Sequence, residues 1–367
     1  MTDLVVVSLE AWDEVWRRNQ YLVSGLLDAD PALRVLFIEP ADDPLHAVRR
    51  GLAPRFGRRL RPLTDRLWSF RPVKWLPRRL DARADSRLAG SAARAAARLG
   101  MEHPLLWIND PTAAGLARST GWRTLYDMTD DWLAAERPAA ELARIAAGEE
   151  WLLQNAAAVV ACSPELARRK RPQRADIDVI RNAVDVDRYR MPMPRPADLP
   201  DGPYALYLGT LHRDRLDVEL AAATARALHG HGRLALVGPD SLDAADTALL
   251  RDAGAVVLAA RPRDAVPGYL QHADVLVVPH LVTPFTESLD PLKLYEYQAV
   301  GRPIVSTPVA GFREAPGVVL AEGDAFAGAV ADAVPAKTRF PEAATVAAVD
   351  WSQRAAEFLG ALRAVRG

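Results

Sequence analysis

The stretch "ESLDPLKLYEYQAVGRPIVST", residues 287–307, reads as a short helix followed directly by a strand. Asp290 is a favourable N-cap residue, Pro291 suits the first helical position, and Gly301 suits the position just after the last turn. The apolar run at 303–307 is then typical of a buried strand. A helix leading directly into a continuously apolar strand is the repeating unit of an open α/β sheet.

The same alternation extends outward from this stretch along the whole chain. In the C-terminal half the predicted strands are 204–210, 233–239, 255–259, 273–280 and 303–307, and the predicted helices are 217–229, 241–253, 264–271 and 291–300. In the N-terminal half the predicted strands are 4–9, 35–40, 105–110, 124–128 and 157–163, with helices at 16–28, 81–99 and 141–155. The fold class predicted is therefore α/β, with two doubly wound domains.

A proline-rich segment separates the two predicted domains. Residues 184–203 lack a sustained apolar period, so we interpret them as a linker between a domain at 1–190 and a domain at 204–350. The last amphipathic helix, 351–366, begins after a cap at Asp350 or Ser352 and is predicted to pack back on the first domain. A length of 367 residues agrees with two domains.

The composition excludes several classes of protein. A formal net charge of −1 gives no overall attraction to nucleic acid. The single cysteine, Cys162, excludes an internal disulfide framework and a multi-cysteine zinc site. The N-terminus lacks the pattern of a signal peptide, and no apolar run reaches the roughly 18–20 residues of a membrane span. We therefore expect a cytoplasmic protein.

The helix at 291–300 carries charges although it is apolar on most sides. In an open α/β sheet ligands bind outside the carboxyl ends of the strands, and this helix begins there. Its free N–H groups suit a phosphate, and neither a G-x-G-x-x-G turn nor a Walker A sequence offers another phosphate site. Lys293 and Glu296 are three residues apart, so they either form a helical ion pair or contact a ligand.

The stretch at 287–307 resembles the nucleotide-sugar motif of retaining GT-B glycosyltransferases of family 4, also called group 1, and especially of bacterial members. Further segments are similar to this family in order and spacing across most of the chain: "YALYLGTLHRDRLDVEL", "LALVGP", "PGYLQHADVLVVPH", "AAAVVACSPELARR" and "DVIRNAVDVDRY". The resemblance implies two Rossmann-like domains facing across a cleft. It also implies that the first domain binds the acceptor and the second binds the nucleotide-sugar donor.

The resemblance assigns donor contacts within the helix and the loop before it. Glu296 would bind the ribose hydroxyls, and the helix start with Leu292 and Lys293 would hold the diphosphate. The family pattern usually has another glutamate eight residues earlier, which contacts the transferred sugar. This chain has Ser288 there, so either neighbouring Glu287 serves or the Ser288 hydroxyl replaces it.

The family also places cations just after the first strand of the second domain. The corresponding residues here are Gly209, Thr210, His212, Arg213 and Arg215. We favour Arg215 as the cation that stabilises the leaving diphosphate, with His212 or Arg213 as alternatives. Arg261, after another strand, is a candidate to stack on the base or bond to it. No metal and no other cofactor is expected, because GT-B enzymes neutralise the diphosphate with protein groups.

In the first domain, polar residues follow two predicted strands. Arg17 could reach the diphosphate from the loop after the first strand, and Trp12 could face a sugar ring. The cluster "YDMTDDW" contains Asp127, Asp130 and Asp131. Asp130 or Asp131 could orient or deprotonate an acceptor hydroxyl, or could cap a helix. No protein nucleophile is expected by resemblance.

Residues 49–87 are rich in arginine with interleaved aromatic residues. They could contact anionic lipid, bind an acidic acceptor, or form an ordinary solvated face. The function expected from the whole sequence is transfer of a sugar from a nucleotide-sugar to an acceptor hydroxyl of a saccharide, a lipid-linked saccharide or a natural product. The alternatives are a nucleotide-sugar epimerase or hydrolase, or a non-catalytic nucleotide-sugar-binding protein.

Overall fold

The chain forms two α/β units in a computed structural model that describes residues 2–49, 59–78, 80–334 and 349–366. The first unit comprises 1–133, 137–181 and 352–367, and the second comprises 134–136 and 182–351. The division after residue 181 precedes the boundary at 190 that the sequence suggested. Segment 184–203 belongs to the second unit, where Val186–Arg190 forms a helix, instead of forming a separate linker.

The first unit is built on an eight-stranded sheet in the order β3-β4-β2-β1-β5-β6-β7-β8. Its strands are β1 (Thr2–Val7), β2 (Leu33–Ile38), β3 (Leu60–Pro62), β4 (Leu67–Phe70), β5 (Leu105–Ile108), β6 (Thr124–Met128), β7 (Ala158–Ala161) and β8 (Asp178–Val179). All neighbours pair in parallel except β3 and β4, which are antiparallel. Parallel pairing requires crossover helices, and these connect most of the strands.

The helices of the first unit are α1 (Arg18–Ala29), α2 (Pro44–Arg49), α3 (Ala84–Arg98), α4 (Ala114–Thr120), α5 (Ala139–Asn155) and α6 (Pro164–Lys170). The last helix of the chain, α13 (Trp351–Arg366), contributes its residues from Ser352 onward to the same unit. There the ring of Phe358 packs against Trp107 of β5 with centroids 4.4 Å apart.

The second unit has a six-stranded, wholly parallel sheet in the order β11-β10-β9-β12-β13-β14. Its strands are β9 (Tyr204–Leu208), β10 (Arg233–Val237), β11 (Val256–Leu258), β12 (Val275–Val278), β13 (Ile304–Ser306) and β14 (Val318–Leu320). Its helices are α7 (Val186–Arg190), α8 (Val218–Ala227), α9 (Ala244–Asp252), α10 (Val266–His272), α11 (Leu292–Val300) and α12 (Gly323–Ala333).

Alternate residues of the central strands in the second unit face two separate cores. Tyr207 of β9 lies in one core cluster with residues of α8 and α12, whereas its neighbour Leu206 lies in the other with residues of α10 and α11. Because both faces of the sheet are covered, both sets of side chains must be apolar. This explains why the strand sequences are continuously apolar and lack the alternation of a half-exposed sheet.

The strand order creates a switch point in each sheet. From β9 the chain first adds β10 and β11 on one side and then β12, β13 and β14 on the other. The loops after β9 and β12 therefore diverge, and the crevice between them is where ligands bind in sheets of this kind. In the first unit the same reversal occurs between β1 and β5.

The prediction of two doubly wound α/β domains is confirmed, and the ten predicted strands all lie where the structure has strands. The short strands β3, β4, β8 and β14 are not among those ten. No helix in the described ranges combines the length and the apolar character needed to cross a membrane.

Candidate functional site

Two glycines shape the edge of the second sheet after β9 and β10. Gly209, directly after β9, has a φ of 146°, and a Cβ there would lie 2.9 Å from Lys293 Nζ. Gly238, directly after β10, has a φ of 156°, and a Cβ there would lie 2.0 Å from the Gly209 carbonyl oxygen. Glycine is therefore needed at both positions, because the backbones approach each other and the lysine closely.

Lys293, in the first turn of α11, points to the ends of β9 and β12. Its Nζ lies 3.1 Å from His280 Nε2 and 3.9 Å from the centre of the Tyr207 ring. The single proton of the Tyr207 hydroxyl can be donated to one of two acceptors, His280 Nε2 at 3.1 Å or the Thr210 carbonyl oxygen at 3.3 Å. A lysine ammonium can only donate, so the contact requires Nε2 to be the unprotonated nitrogen of His280.

The charges at this edge are compensated unequally, because Arg215 is paired with Asp214 whereas Lys293 contacts His280. Burial, together with the charges of Lys293 and Arg215, holds the pKa of His280 well below its usual value, so its imidazole is neutral at pH 7. Burial and then the charge of Arg215 also hold the pKa of Lys293 well below its usual value, against a smaller opposing effect of Glu296. Within the described ranges no carboxylate forms an ion pair with Lys293. A bound anion would satisfy this cluster.

Glu296, one turn after Lys293, is held by a tyrosine of α7. Its Oε1 accepts a hydrogen bond of 2.5 Å from the Tyr189 hydroxyl. Burial raises the pKa of Glu296, whereas the bond from Tyr189 and the charge of Lys293 act in the opposite direction. The second carboxylate oxygen, Oε2, has no hydrogen-bond donor among the described residues. It can therefore accept from the vicinal hydroxyls of a ligand.

The start of α11 differs from the prediction at Asp290. The helix begins at Leu292, Pro291 occupies the N-cap position, and no side chain caps the first turn. The Asp290 carboxylate instead accepts from the backbone N–H of Asn182 at 2.6 Å and from the Tyr295 hydroxyl at 2.8 Å. The N-cap prediction was therefore wrong, because these donors hold the carboxylate. The amides of the first turn remain suited to an anion. Gly301 ends the helix in the left-handed conformation, as predicted.

The loop before α11 places Ser288 and Glu287 in different surroundings. Ser288 is fully buried, and its Oγ donates to the Phe285 carbonyl oxygen at 2.7 Å. The Glu287 side chain is 25% exposed, and its Oε1 accepts from Arg313 Nη2 at 2.7 Å. Of the two, only Glu287 presents a carboxylate toward the surface, and a sugar would have to share it with Arg313.

The basic residues after Gly209 have separate partners. Arg213 binds Asp246 and Glu219, with its Nη2 at 2.9 and 2.7 Å from their carboxylate oxygens. Arg215 donates from Nε to Asp214 at 3.1 Å and lies over the Phe285 ring, while its charge lowers the pKa of both Lys293 and His280. Among the basic residues after Gly209, Arg215 is therefore the one whose charge acts on Lys293 and His280.

His212 and Arg261 are held by their own neighbours. His212 is half-exposed, and its Nδ1 accepts from the Asp214 backbone N–H at 3.1 Å. Arg261 donates from Nε to the Tyr269 hydroxyl at 2.7 Å and from Nη1 to the Ala259 carbonyl oxygen at 3.0 Å, and it also pairs with Asp198. These bonds fix the Arg261 guanidinium against α10, which leaves its face as the part that could contact a base.

In the first unit, Asp131 belongs to a buried ion network. Lys170 Nζ lies 2.8 Å from Asp131 and 2.7 Å from Glu149, and Arg169 bonds to Asp131 at 3.2 Å. This carboxylate is therefore neutralised by two cations and faces the α5–α6 region, which favours a structural role over contact with an acceptor.

Asp127 is equally compensated. Arg18 binds both of its oxygens, at 3.1 and 3.2 Å, and Asn109 Nδ2 donates to the same carboxylate at 3.0 Å. Asp130 differs: it is partly buried and accepts from the Thr129 hydroxyl at 3.1 Å.

The loop after β1 contains one carboxylate that the sequence did not single out. Glu10 is 30% exposed, yet its Oε2 is buried and has no partner within the described residues. Burial raises the pKa of Glu10 to about 7, with Asp130 also raising it and Arg17 lowering it. Arg17, the predicted diphosphate contact, bonds to the Val15 carbonyl oxygen at 3.2 Å. Trp12 packs on Phe37 of β2.

Of the basic stretch at 49–87, residues 50–58 and 79 lie outside the described residues. Several of the remaining arginines have partners inside the protein. Arg61 and Arg71 both bind Glu39, Arg78 binds Asp85 and Arg87 binds Asp81.

His280, Tyr207 and Tyr189 are site residues that the sequence did not single out. His280 directly follows the strand "ADVLVVP", so the rule that ligands bind after strands could have identified it. Tyr189 lies in the segment that was interpreted as a linker, and its sequence carries no signal for a contact 107 residues away. In the described ranges, no group of three or more His, Cys, Asp or Glu side chains is placed to hold a metal ion.

Comparison with known proteins bears on the second unit most directly. Residues 202–335 match the family Glycosyl transferases group 1, so this part of the chain is similar to the domains of that family. A Bacillus subtilis (strain 168) protein described as a teichuronic acid biosynthesis glycosyltransferase, TuaH, is 24% identical over 221 residues. The match covers 56% of this chain and spans 56% of the length of that relative.

Solved structures match almost the whole chain. The E. coli trehalose-6-phosphate structure bound with UDP-2-fluoro glucose is similar with a TM-score of 0.68 and 15% identity over 99% of both chains. Anabaena HepE in complex with UDP and glucose has a TM-score of 0.68 and 14% identity over 99% of this chain and 100% of its own. At such low sequence identity the structural similarity bears on the fold alone, and it confirms the predicted GT-B fold.

Proposed function

We propose that this chain, whose residues 202–335 match the family Glycosyl transferases group 1, transfers a hexosyl group from a nucleoside-diphosphate sugar to an acceptor hydroxyl with retention of configuration. The observation that carries this proposal is the uncompensated Lys293 beside neutral His280, at the switch point of the second sheet. A cation such as Lys293, which has no carboxylate partner among the described residues, suits a diphosphate at this place.

Each part of the donor has a partner in the proposed site. The uncapped first turn of α11, together with Lys293 and Arg215, would bind the diphosphate. Glu296, held on one oxygen by Tyr189, would accept from the ribose hydroxyls with the other. These roles agree with those that the family resemblance implies.

In the proposed reaction the bond between the sugar C1 and the phosphate oxygen breaks, and its electron pair stays on the diphosphate. Lys293 and Arg215 would stabilise that charge as it develops. The acceptor oxygen bonds to C1 on the same face, and its proton passes to the departing phosphate. The proposal assigns no step to a metal ion or to a protein nucleophile.

The choice of donor and acceptor is guided by the similar proteins. UDP or a UDP sugar occupies both of the similar structures named above, so UDP is the nucleotide to test first. The description of TuaH favours a saccharide acceptor, while a lipid-linked saccharide or a natural product agrees with the same chemistry.

A nucleotide panel tests the proposed site directly. Thermal shift with UDP, GDP, ADP and dTDP should identify one stabilising nucleotide, because binding to the folded state raises the melting temperature. Glu296→Ala should weaken binding of that nucleotide, whereas Glu314→Ala, at an exposed carboxylate of the same unit, should not. Equal affinity of the Glu296→Ala variant and the wild type would show that the site is elsewhere.

The loop before α11 favours a second candidate, a nucleotide-sugar-binding protein without transferase activity. Ser288 stands where the family has a glutamate, and Glu287 is paired with Arg313. Turnover of the sugar nucleotide with and without acceptors separates the candidates. Transfer supports the first, hydrolysis or epimerisation without an acceptor indicates a related enzyme, and binding without any turnover supports the second.

A further inference from the structure

The first unit contains a pocket at the β3–β4 end of its sheet, away from the switch point between β1 and β5. Its volume is about 530 Å³, which lies within the range of roughly 300–1,000 Å³ typical of small-molecule sites. It lies between the β3–β4 edge of the sheet and helix α3. Its lining residues are Arg59, Leu60, Phe70, Ser91, Arg94 and Arg98. All six belong to the first unit.

Three arginines, all of them exposed, line this one pocket. Arg94 and Arg98 are four residues apart on α3, and Ser91 is three residues before Arg94, so the three share a helix face. Arg59 enters from the start of β3, and its guanidinium lies 5.4 Å from the centre of the Trp75 ring. Three like charges around one space repel one another unless a negative charge lies between them.

The arginines of the pocket differ from neighbouring arginines in lacking a paired carboxylate among the described residues. On the same helix Arg87 is paired with Asp81, and just before the helix Arg78 is paired with Asp85. By contrast, no carboxylate among the described residues pairs with Arg59, Arg94 or Arg98. The local acidic residues are therefore used elsewhere, and the pocket keeps a concentrated positive charge.

We propose that this pocket binds an anionic group, a phosphate or a carboxylate, carried by a small molecule or a lipid. Arginine matches both groups because its planar fork donates two parallel hydrogen bonds to a pair of oxygens. The Ser91 hydroxyl already donates to the Leu88 carbonyl oxygen at 2.7 Å, so the arginines are the donors. Leu60 and Phe70 provide an apolar wall for the uncharged part of the ligand.

Two sources of the anionic group are compatible with this chemistry. A soluble acid would enter the pocket alone. A lipid phosphate would bring a membrane surface against the protein, and Trp75, which is 61% exposed and stacked with Arg59, stands where such a surface would touch. The test therefore needs both soluble and vesicle probes.

The first experiment measures binding of inorganic pyrophosphate and of glucuronate to the full chain by calorimetry at low ionic strength. Replacing two arginines with Arg94→Gln and Arg98→Gln should weaken binding of at least one probe by about tenfold or more, because charge-assisted hydrogen bonds are lost. Arg87→Gln is the matched control on the same helix and should bind as the wild type does. Equal affinities in the double variant and the control, with soluble probes and vesicles alike, would overturn the proposal.

A second measurement needs no variant. Phenylglyoxal modifies accessible arginines, and peptide mass spectrometry gives the rate at each position. Pyrophosphate, glucuronate or phosphatidylglycerol vesicles should protect Arg94 and Arg98 but not Arg87, with phosphatidylcholine vesicles as the neutral control. Protection by a soluble probe assigns a soluble ligand, and protection by the anionic vesicles alone assigns a lipid. Unchanged modification of both arginines with every probe would refute the site. Neither readout requires nucleotide binding or turnover.

Discussion

Lys170 of the first unit is paired with carboxylates, whereas Lys293 of the second unit has no carboxylate partner among the described residues. In the first, Lys170 bonds to Asp131 at 2.8 Å and to Glu149 at 2.7 Å, so one ammonium faces two carboxylates. In the second, Lys293 bonds to the neutral imidazole of His280 at 3.1 Å, and no carboxylate of the described chain pairs with it. Two lysines near sheet edges thus have opposite electrostatic surroundings.

The difference separates a structural role from a ligand-binding role. A buried charge costs free energy unless it is paired, so folding stability favours an arrangement such as that of Lys170. An unpaired, partly buried cation persists only where another function requires it, and perturbed groups of this kind concentrate at functional sites. Replacing each lysine should therefore affect different properties of the protein.

The largest effect is expected from Lys170→Met, which leaves Asp131 and Glu149 buried without their shared cation. Removing one partner of a buried ion pair typically costs about 3–5 kcal/mol of unfolding free energy. Thermal and urea denaturation should show a large loss of stability. Arg168→Gln, at an exposed ion pair on the same helix, should leave the melting temperature nearly unchanged. Equal stability of the two variants would show that the network is not structural.

The next effect is expected from Lys293→Gln, which removes the uncompensated cation. If Lys293 stabilises the leaving diphosphate, turnover should fall by about 100- to 1,000-fold, as for other preorganised electrostatic groups. The melting temperature of the variant without ligand should not fall, because no ion pair is broken. Arg226→Gln, at an exposed position in the last turn of α8, controls for the loss of one charge from the same unit. Destabilisation like that of Lys170→Met would contradict the comparison.

Much of the fold could be predicted because the strands are buried on both faces. Runs such as 204–210 and 233–239 are continuously apolar, so their strands are visible without any partner. The two-residue strand at 178–179 gives no such signal, because its position is fixed by pairing with β7. The proline-rich composition of 184–203 also misled, since the packing of Tyr189 in the second core decides its place.

Candidate site residues could be selected from the sequence where their chemistry follows from their position along the chain. Lys293 and Glu296 are charged residues in an apolar helix, and that contrast is local. The loss of Asp131 to an ion network depends on Lys170, which is 39 residues away, and no local pattern announces it. The Asp290 prediction was wrong for the same reason, because its donors include Asn182, which is 108 residues away.

Tyr189→Phe should sharpen the comparison at the other end of α11. The variant removes the donor that holds Glu296 Oε1, so the carboxylate loses its fixed orientation. Nucleotide affinity should fall by roughly twofold to tenfold, the usual value of one hydrogen bond. Tyr204→Phe, whose hydroxyl makes a longer bond of 3.4 Å to a carbonyl oxygen of the same unit, should leave affinity unchanged. Unaltered affinity in Tyr189→Phe would show that Oε1 orientation does not matter.

The smallest effect is a proton taken up when the nucleotide binds. Without ligand, burial and Arg215 hold the pKa of Lys293 below its usual 10.5, so part of the population is neutral in alkaline buffer. A diphosphate stabilises the ammonium and raises this pKa again, so binding in alkaline buffer should be accompanied by proton uptake.

Calorimetry in buffers of different ionisation enthalpy measures this uptake, since the observed heat then varies with the buffer. The sign follows from linkage: because the complex holds more protons, nucleotide affinity should weaken as pH rises through the pKa of Lys293 in the complex. In Lys293→Gln the buffer dependence should disappear while some binding remains. Persistent uptake in that variant would assign the proton to another group and remove the main electrostatic difference between Lys293 and the paired Lys170.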